Sequence, residues 1–197
     1  MKHLRDIPLK NYCTYRIGGV ARDLYFPESI DEMAEIVRLH RAQGRPFWIH
    51  GGGANTLFPD GEIRMPVIST SEMTATSRRG GTVFAEAGRV MDAWVLENLR
   101  QGLGGVECLS GIPGTLGGAL FMNAGAYGQE ISDHLHSVTV LTRDSRVVEI
   151  PKAECGFGYR RATALRDTVI LAGKWDLPQG EPEALLRESV QAALDHG

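Results

Sequence analysis

Ser110-Gly111-Ile112-Pro113-Gly114-Thr115-Leu116-Gly117-Gly118-Ala119, taken up again at Asn123-Ala124-Gly125-Ala126-Tyr127-Gly128, is the densest glycine run of the chain. Nine of the 24 glycines lie between Gly102 and Gly128. Glycine loses more conformational freedom on folding than any other residue, so such a density needs a reason. Bringing main chain close to a bulky partner is one. Ser110 and Thr115 add hydroxyls, Asn123 adds an amide, and Ile112, Leu116 and Leu120 supply apolar contact. That mix suits a ligand that joins an aromatic ring system to a pyrophosphate. The competing reading is a tight glycine hinge inside a β domain.

Upstream, Gly51-Gly52-Gly53-Ala54-Asn55-Thr56 follows a short apolar stretch, Phe47 to His50. A strand that ends in consecutive glycines exposes several backbone N–H groups with no side chain in the way, which is how proteins cradle phosphate. The loop is neither a Rossmann fingerprint, which would need glycine at position 56, nor a Walker loop, since no Gly-Lys-Ser/Thr closes it. Taken alone it is equally well a structural turn.

The rest of the chain frames these loops. Arg22 to Phe26 reads as a strand. A helix follows, with Ser29 as N-cap and Glu32 three residues on, a capping box. Met33, Ile36, Val37 and His40 share its apolar face, and Gly44 and Pro46 stop it. With strands at 47–50 and 67–69, residues 1–70 read as a β-α-β unit. Residues 71–180 read as a mainly β unit. It has a strand at 82–87, a helix carrying Met91, Trp94, Val95 and Leu99, a hairpin around Asp144-Ser145 and a strand at 168–172. Residues 181–197 form an amphipathic helix with Leu186, Val190 and Ala193 on one side. The expected class is α+β, in two subdomains with a cleft between them.

Composition narrows the function. With 43% apolar residues a sizeable core is available, and a net charge of -3 with no basic cluster gives no footprint for nucleic acid. Cys13, Cys108 and Cys155 are few, odd in number and far apart, which argues for reduced thiols rather than disulfides or zinc. No signal peptide and no bilayer-length apolar run is visible, so a soluble cytoplasmic protein is expected. His134 and His136 lie two apart without a third ligand type, so no metal site is expected. His50 reads as structural, Trp48, Trp94 and Trp175 as core, and Glu107 as a cap for the glycine stretch.

Five motifs occur in order: Thr14-Tyr15-Arg16-Ile17-Gly18-Gly19, the loop Gly51 to Leu57, Ser110 to Ala119, Asn123 to Gly128, and Phe157-Gly158-Tyr159-Arg160. In this order and spacing they resemble the UDP-N-acetylenolpyruvoylglucosamine reductases, flavoenzymes of peptidoglycan precursor synthesis. The resemblance runs from Lys10 to about Leu177. It implies the FAD-binding fold of the vanillyl-alcohol-oxidase type, with the flavin held between two subdomains. It implies cofactor contacts from Gly51, Gly52, Gly53, Ala54, Asn55 and Thr56. A second set comes from Ser110, Gly111, Ile112, Pro113, Gly114, Thr115, Gly117 and Gly118, and a third from Asn123, Ala124 and Gly125. Thr14 to Gly19 would pack near the same loops. The family reaction takes hydride from NADPH to FAD and on to an enolpyruvyl double bond of a UDP-sugar. Negative charge then builds on the substrate carboxylate, and an arginine is suited to meet it. The resemblance places Arg160 there, with Tyr159 beside it.

Some positions depart from the family pattern. Ala54 stands for the usual serine, Val20 for a proline, and Arg161-Ala162-Thr163 follows Tyr159-Arg160 where the family often has an acidic or polar residue and then serine. The family's third domain, which carries the serine proton donor and a supporting glutamate, would follow the 181–197 helix, and no residue here is matched to either. The resemblance therefore implies either the reductase or a flavin-binding unit without turnover.

Overall fold

The computed structural model of the chain describes residues 1–195, so the 181–197 segment is described to residue 195 and positions 196 and 197 lie outside the described residues. In chain order the first elements are β1 (Lys2–Pro8), β2 (Val20–Phe26), α1 (Ile30–Ala42), β3 (Trp48–His50), β4 (Glu62–Ile63) and β5 (Val67–Ser69). They build one sheet in the order β1-β2-β5-β3, with β4 beside β2. β1 runs antiparallel to β2, while β5 lies parallel to both β2 and β3. The N-cap of α1 is Ser29, whose hydroxyl accepts from the Glu32 N–H at 3.2 Å. The return bond of the capping box lands one residue early: the Glu32 carboxylate accepts from the Glu28 N–H at 2.9 Å and also takes the N-terminal ammonium at 2.8 Å.

The second set is β6 (Thr76–Arg79), β7 (Thr82–Glu86), α2 (Met91–Arg100), α3 (Leu116–Met122), β8 (Gly125–Ala126), β9 (Gln129–Glu130), β10 (Leu135–Leu141), β11 (Val147–Pro151), β12 (Phe157–Gly158), β13 (Arg161–Ala162), β14 (Val169–Asp176) and α4 (Pro182–Asp195). An antiparallel sheet runs β11-β10-β14-β7-β6. One of its faces is covered by α2, α3 and α4 around a core that includes Val83, Met91, Trp94, Leu116, Val138 and Trp175. The Trp94 and Trp175 rings meet at 4.7 Å. Leu141, Val169 and Leu171 pack instead against Met33, Ile36 and Val37 of α1. Arg38 and Arg41 of α1 then donate to the carbonyls of Ser145 and Thr142 in the turn between β10 and β11, so α1 is shared by the two sheets.

Three expectations need correction. The stretch 110–119 is not loop throughout, because α3 begins at Leu116 and carries Gly117 and Gly118 inside it. Two glycines depress helix propensity, but here the helix lies so close to β7 that a Cβ on Gly117 would stand 2.9 Å from that of Ala87. Asn123 to Gly128 is likewise not a plain glycine loop, since it starts the small β8–β9 hairpin. On α4 the buried residues are Leu185 and Ser189, whereas Leu186 is half-buried, Val190 is 60% exposed and Ala193 is exposed. The helix turns this way because Gly104 and Gly180 make a socket for Leu185, whose Cδ2 would stand 2.7 and 3.1 Å from a Cβ at those positions.

His40 closes the buried face of α1. It is 3% exposed, neither ring nitrogen has a partner among the described residues, and the Tyr25 and Phe47 rings flank it at 5.7 and 6.3 Å. Burial, and then the charge of Arg45, push its pKa below the ordinary 6.5, with Asp23 opposing weakly. A histidine that stays neutral when folded but titrates normally when unfolded gives the unfolded state more protons below pH 6.5. Stability is therefore full above that pH and is lost as pH falls toward the folded pKa. The thermal midpoint is expected to drop by a few degrees, on the order of 1 kcal/mol, between about pH 7.5 and about pH 5. His40→Phe should flatten that slope, with buried His50 supplying the remainder; an unchanged slope in the variant would refute the assignment.

Candidate functional site

The first glycine loop leaves β3 at the seam between the two sheets and meets the second glycine stretch main chain to main chain. A Cβ on Gly52 would stand 2.9 Å from the Gly114 Cα and 3.2 Å from the Thr115 nitrogen. One on Gly51 would stand 2.9 Å from the Thr115 hydroxyl, and one on Gly53 2.1 Å from the Tyr12 carbonyl oxygen. Gly53 takes φ +70, a conformation glycine adopts without strain, and its carbonyl accepts from the Thr14 N–H at 3.1 Å. That bond ties the Thr14–Gly19 segment to the loop, as expected from the resemblance. His50 is buried beneath it, with Nε2 against the Tyr12 carbonyl at 2.8 Å and the Phe58 ring at 5.1 Å, so its role is structural.

What the seam leaves unspent defines its chemistry. The N–H groups of Gly51, Gly52 and Gly53 donate to no described residue. Thr115 is 5% exposed, and its Oγ1 has no partner among the described residues. Thr115 is buried, and buried polar groups are normally paired, so its hydroxyl calls for an acceptor outside the chain; the amides of half-buried Gly51 and exposed Gly52 stand open beside it, free to donate to the same acceptor. A pyrophosphate provides one, and since a Cβ on Gly114 would meet nothing nearer than the Ala54 methyl at 3.5 Å, the residues leave room for it.

The remaining expected contacts divide into two kinds. Gly114 and Thr115 meet the first loop main chain to main chain, a Cβ on Gly118 would stand 3.9 Å from the Thr115 hydroxyl, and Ala54, Asn55 and Thr56 continue the first loop. Others are committed to the fold. The Gly117 N–H donates to the Ala87 carbonyl at 2.8 Å. Asp92, in the first turn of α2, accepts from the Gly111 N–H at 2.7 Å and the Ser110 hydroxyl at 3.2 Å. Ile112 leans on the second core and Pro113 is exposed. Ala124 is buried and donates its N–H to Ala119, while a Cβ on Gly125 would stand 2.5 Å from the Gln129 carbonyl. Asp92 carried no sequence signal beyond its place in a helix's first turn, yet it shapes the whole 110–113 turn.

Tyr159 and Arg160 form the turn between β12 and β13. Tyr159 is 86% exposed; Arg160 is exposed at φ +53, with no hydrogen bond or ion pair among the described residues. Beneath them Asn123, the C-cap of α3, donates Nδ2 to Glu130 Oε2 at 2.7 Å and to the Gly158 carbonyl at 3.3 Å. Tyr15, Ile17, Leu57, Val90 and Phe121, on the segments that carry or flank the two glycine stretches, are exposed. Elsewhere Glu107 caps Gly105 as its Oε1 accepts that N–H at 2.8 Å, and His136 pairs with Asp176 at 3.1 Å. Burial pushes the Cys155 thiol up to about 11, and all three cysteines are free. Among the described residues no three His, Cys, Asp or Glu side chains gather to hold a metal, and no helix is long and apolar enough to cross a membrane.

Known proteins share these features. Residues 22–151 match the family described as FAD binding domain. The UDP-N-acetylenolpyruvoylglucosamine reductase of Rubrobacter xylanophilus is 40% identical over 190 residues, which are 94% of this chain and 63% of that protein. The chain spans about 60% of the length of the curated relatives it matches. The crystal structure of the reductase from Thermus caldophilus superposes with a TM-score of 0.83 at 30% identity, covering 98% of this chain and 68% of that one. An alkyldihydroxyacetonephosphate synthase, at TM-score 0.61 and 16% identity, shares the fold alone. The fold is therefore the α+β FAD-binding fold of the vanillyl-alcohol-oxidase type, and the chain belongs to the FAD-dependent UDP-N-acetylenolpyruvoylglucosamine reductase family.

Proposed function

We propose that this chain holds FAD at the seam between its two sheets, with residues 1–70 and 71–180 as the two walls. With NADPH as reductant it would convert UDP-N-acetylenolpyruvoylglucosamine to UDP-N-acetylmuramate for cytoplasmic peptidoglycan synthesis. The observation that carries the reading is the approach of two glycine loops with their amides and the Thr115 hydroxyl unspent. The flavin, when bound, supplies hydride chemistry. The chain's own part is binding, orientation and charge. The amides of Gly51 to Gly53 and the Thr115 hydroxyl donate to the pyrophosphate, and Gly114 and Gly118 let main chain come close. Exposed apolar side chains on the flanking segments, Tyr15, Ile17, Leu57, Val90 and Phe121, would help keep water from the ring system.

Arg160 meets the substrate. Hydride addition to an alkene that bears a carboxylate moves negative charge onto that carboxylate, and a guanidinium forks onto it with two N–H groups. An arginine with no ion pair among the described residues is suited to that work, and the Tyr159 hydroxyl adds a donor beside it. A second reading, flavin binding without turnover, rests on the residues of this chain alone, none of which is matched to the family's proton donor.

The absorption of the purified chain between about 350 and 500 nm tests the first claim, followed by NADPH and then the enolpyruvyl sugar nucleotide in the same cuvette. Bands that bleach with NADPH and return with substrate establish the reductase. Bands that ignore substrate establish the second reading, and absence of bands even with added FAD rejects both. Thr115→Val should weaken FAD binding about tenfold, the worth of one hydrogen bond, while leaving the thermal midpoint of the FAD-free chain unlowered. An unchanged Kd would remove Thr115 from the site. Arg160→Ala should leave FAD affinity intact and lower kcat by roughly 10²–10³; near-normal turnover would show that the carboxylate is met elsewhere.

A further inference from the structure

We infer that Asn123 and Glu130 are positioning residues, a bracket that sets where the Tyr159–Arg160 turn stands, with the Asn123 amide nitrogen spent on that bracket rather than on the flavin. The inference rests on the reading of Arg160 as the substrate's counter-charge. Asn123 is 2% exposed, and its φ of +43 lies in the left-handed region as it ends α3. Its amide nitrogen has two acceptors, the Glu130 carboxylate at 2.7 Å and the Gly158 carbonyl at 3.3 Å. Exchanging the amide's oxygen and nitrogen would set an acceptor against both, so the hydrogen-bonding pattern leaves one orientation. Both Asn123 donor hydrogens are then spent, and Oδ1 is buried without a partner among the described residues.

Glu130 is itself fixed. Its short β8–β9 hairpin is reinforced at this end, since the Glu130 N–H donates to Asp133 at 2.8 Å and the Ile131 N–H to the Ala124 carbonyl at 2.8 Å. Gly158 sits immediately before Tyr159. The β12–β13 ladder has only two residue pairs, too few to hold a turn rigidly in water. Its base is tied by the Thr163 N–H to the Gly156 carbonyl at 3.1 Å, and Arg160 has no tie of its own. The Asn123 amide therefore links the turn to the carboxylate behind it, close to the end where the cation stands.

The test compares Asn123→Gly, which keeps the left-handed backbone and removes the side chain, with Glu130→Ala and Glu130→Gln. Three readings are taken: FAD affinity, hydrogen exchange of the amides of residues 157–162, and the kcat and KM of NADPH-driven turnover. Asn123→Gly and Glu130→Ala should speed exchange at 157–162 at least tenfold while the FAD Kd stays within about threefold of the parent. The loss in turnover should fall on kcat, about tenfold, with the KM for NADPH unchanged. Glu130→Gln, which keeps an acceptor for the amide, should restore both within about threefold. A weakened FAD Kd in Asn123→Gly with unchanged exchange would overturn the bracket and make Asn123 a flavin contact. If the parent chain binds FAD but turns nothing over, the turnover reading of the chain fails, while exchange and affinity still decide the bracket.

Discussion

The structure depends on two main chains meeting where no side chain fits. Gly52 follows β3 and Gly114 lies in the turn before α3, yet a single methyl on Gly52 would lie within 3 Å of Gly114. Everything else at the seam serves that approach. Gly53 at φ +70 turns the first loop under Tyr12, and the Met91 N–H holds the Gly114 carbonyl at 3.0 Å. On the far side, α1 grips the β10–β11 turn through Arg38 and Arg41 and packs Met33, Ile36 and Val37 against Leu141, Val169 and Leu171. The separation of the two walls is thus set from behind by hydrophobic packing and from the front by glycine contacts. A rigid separation lowers the ordering cost of binding a large cofactor.

Within this arrangement the glycines do two different jobs. Gly104, Gly117 and Gly125 make room for protein: Leu185, Ala87 and the Gln129 carbonyl occupy the space a Cβ would need. Gly51 and Gly52 face the seam and keep their amides unspent. The same residue type therefore marks close packing and an open amide alike. Hydrogen-bond accounting helps to tell them apart: Gly104 and Gly117 have their amides committed, to the Pro178 and Ala87 carbonyls at 2.8 Å, and Gly51 and Gly52 do not.

That ambiguity explains what was legible in the sequence. The helix α1 was readable to its cap, since Ser29, Glu32 and the Met33, Ile36, Val37 and His40 face are local signals. Both glycine loops stood out by composition, and their family resemblance agreed with the fold and the comparisons. Strands β1 and β6 were not legible, because Lys2–Pro8 is largely exposed and Thr76–Arg79 wholly so, and neither carries an apolar alternation. The helix α3 was hidden by its own glycines, and the orientation of α4 depends on a socket from Gly104 and Gly180, far from it in sequence or outside its period. The clamp of Asp92 on the 110–111 turn is a contact between elements 18 and 19 residues apart, which no local pattern encodes.

The distribution of charge around the Tyr159–Arg160 turn follows from the same accounting. On the proposed reading of Arg160, a cation that is to meet a substrate carboxylate must not meet a protein carboxylate first, since an ion pair would have to be broken before the substrate could bind. Glu130 is linked to this hairpin through Asn123, yet it forms no ion pair with Arg160 among the described residues. Its Oε2 takes a neutral amide instead, and its backbone is anchored to Asp133. A neutral spacer between an acid and an arginine keeps the arginine's charge available while still using the acid as a mechanical anchor. Asn123 is suited to be that spacer, because it donates in two directions, carries no charge, and belongs to the few residue types that tolerate the left-handed backbone at the end of α3.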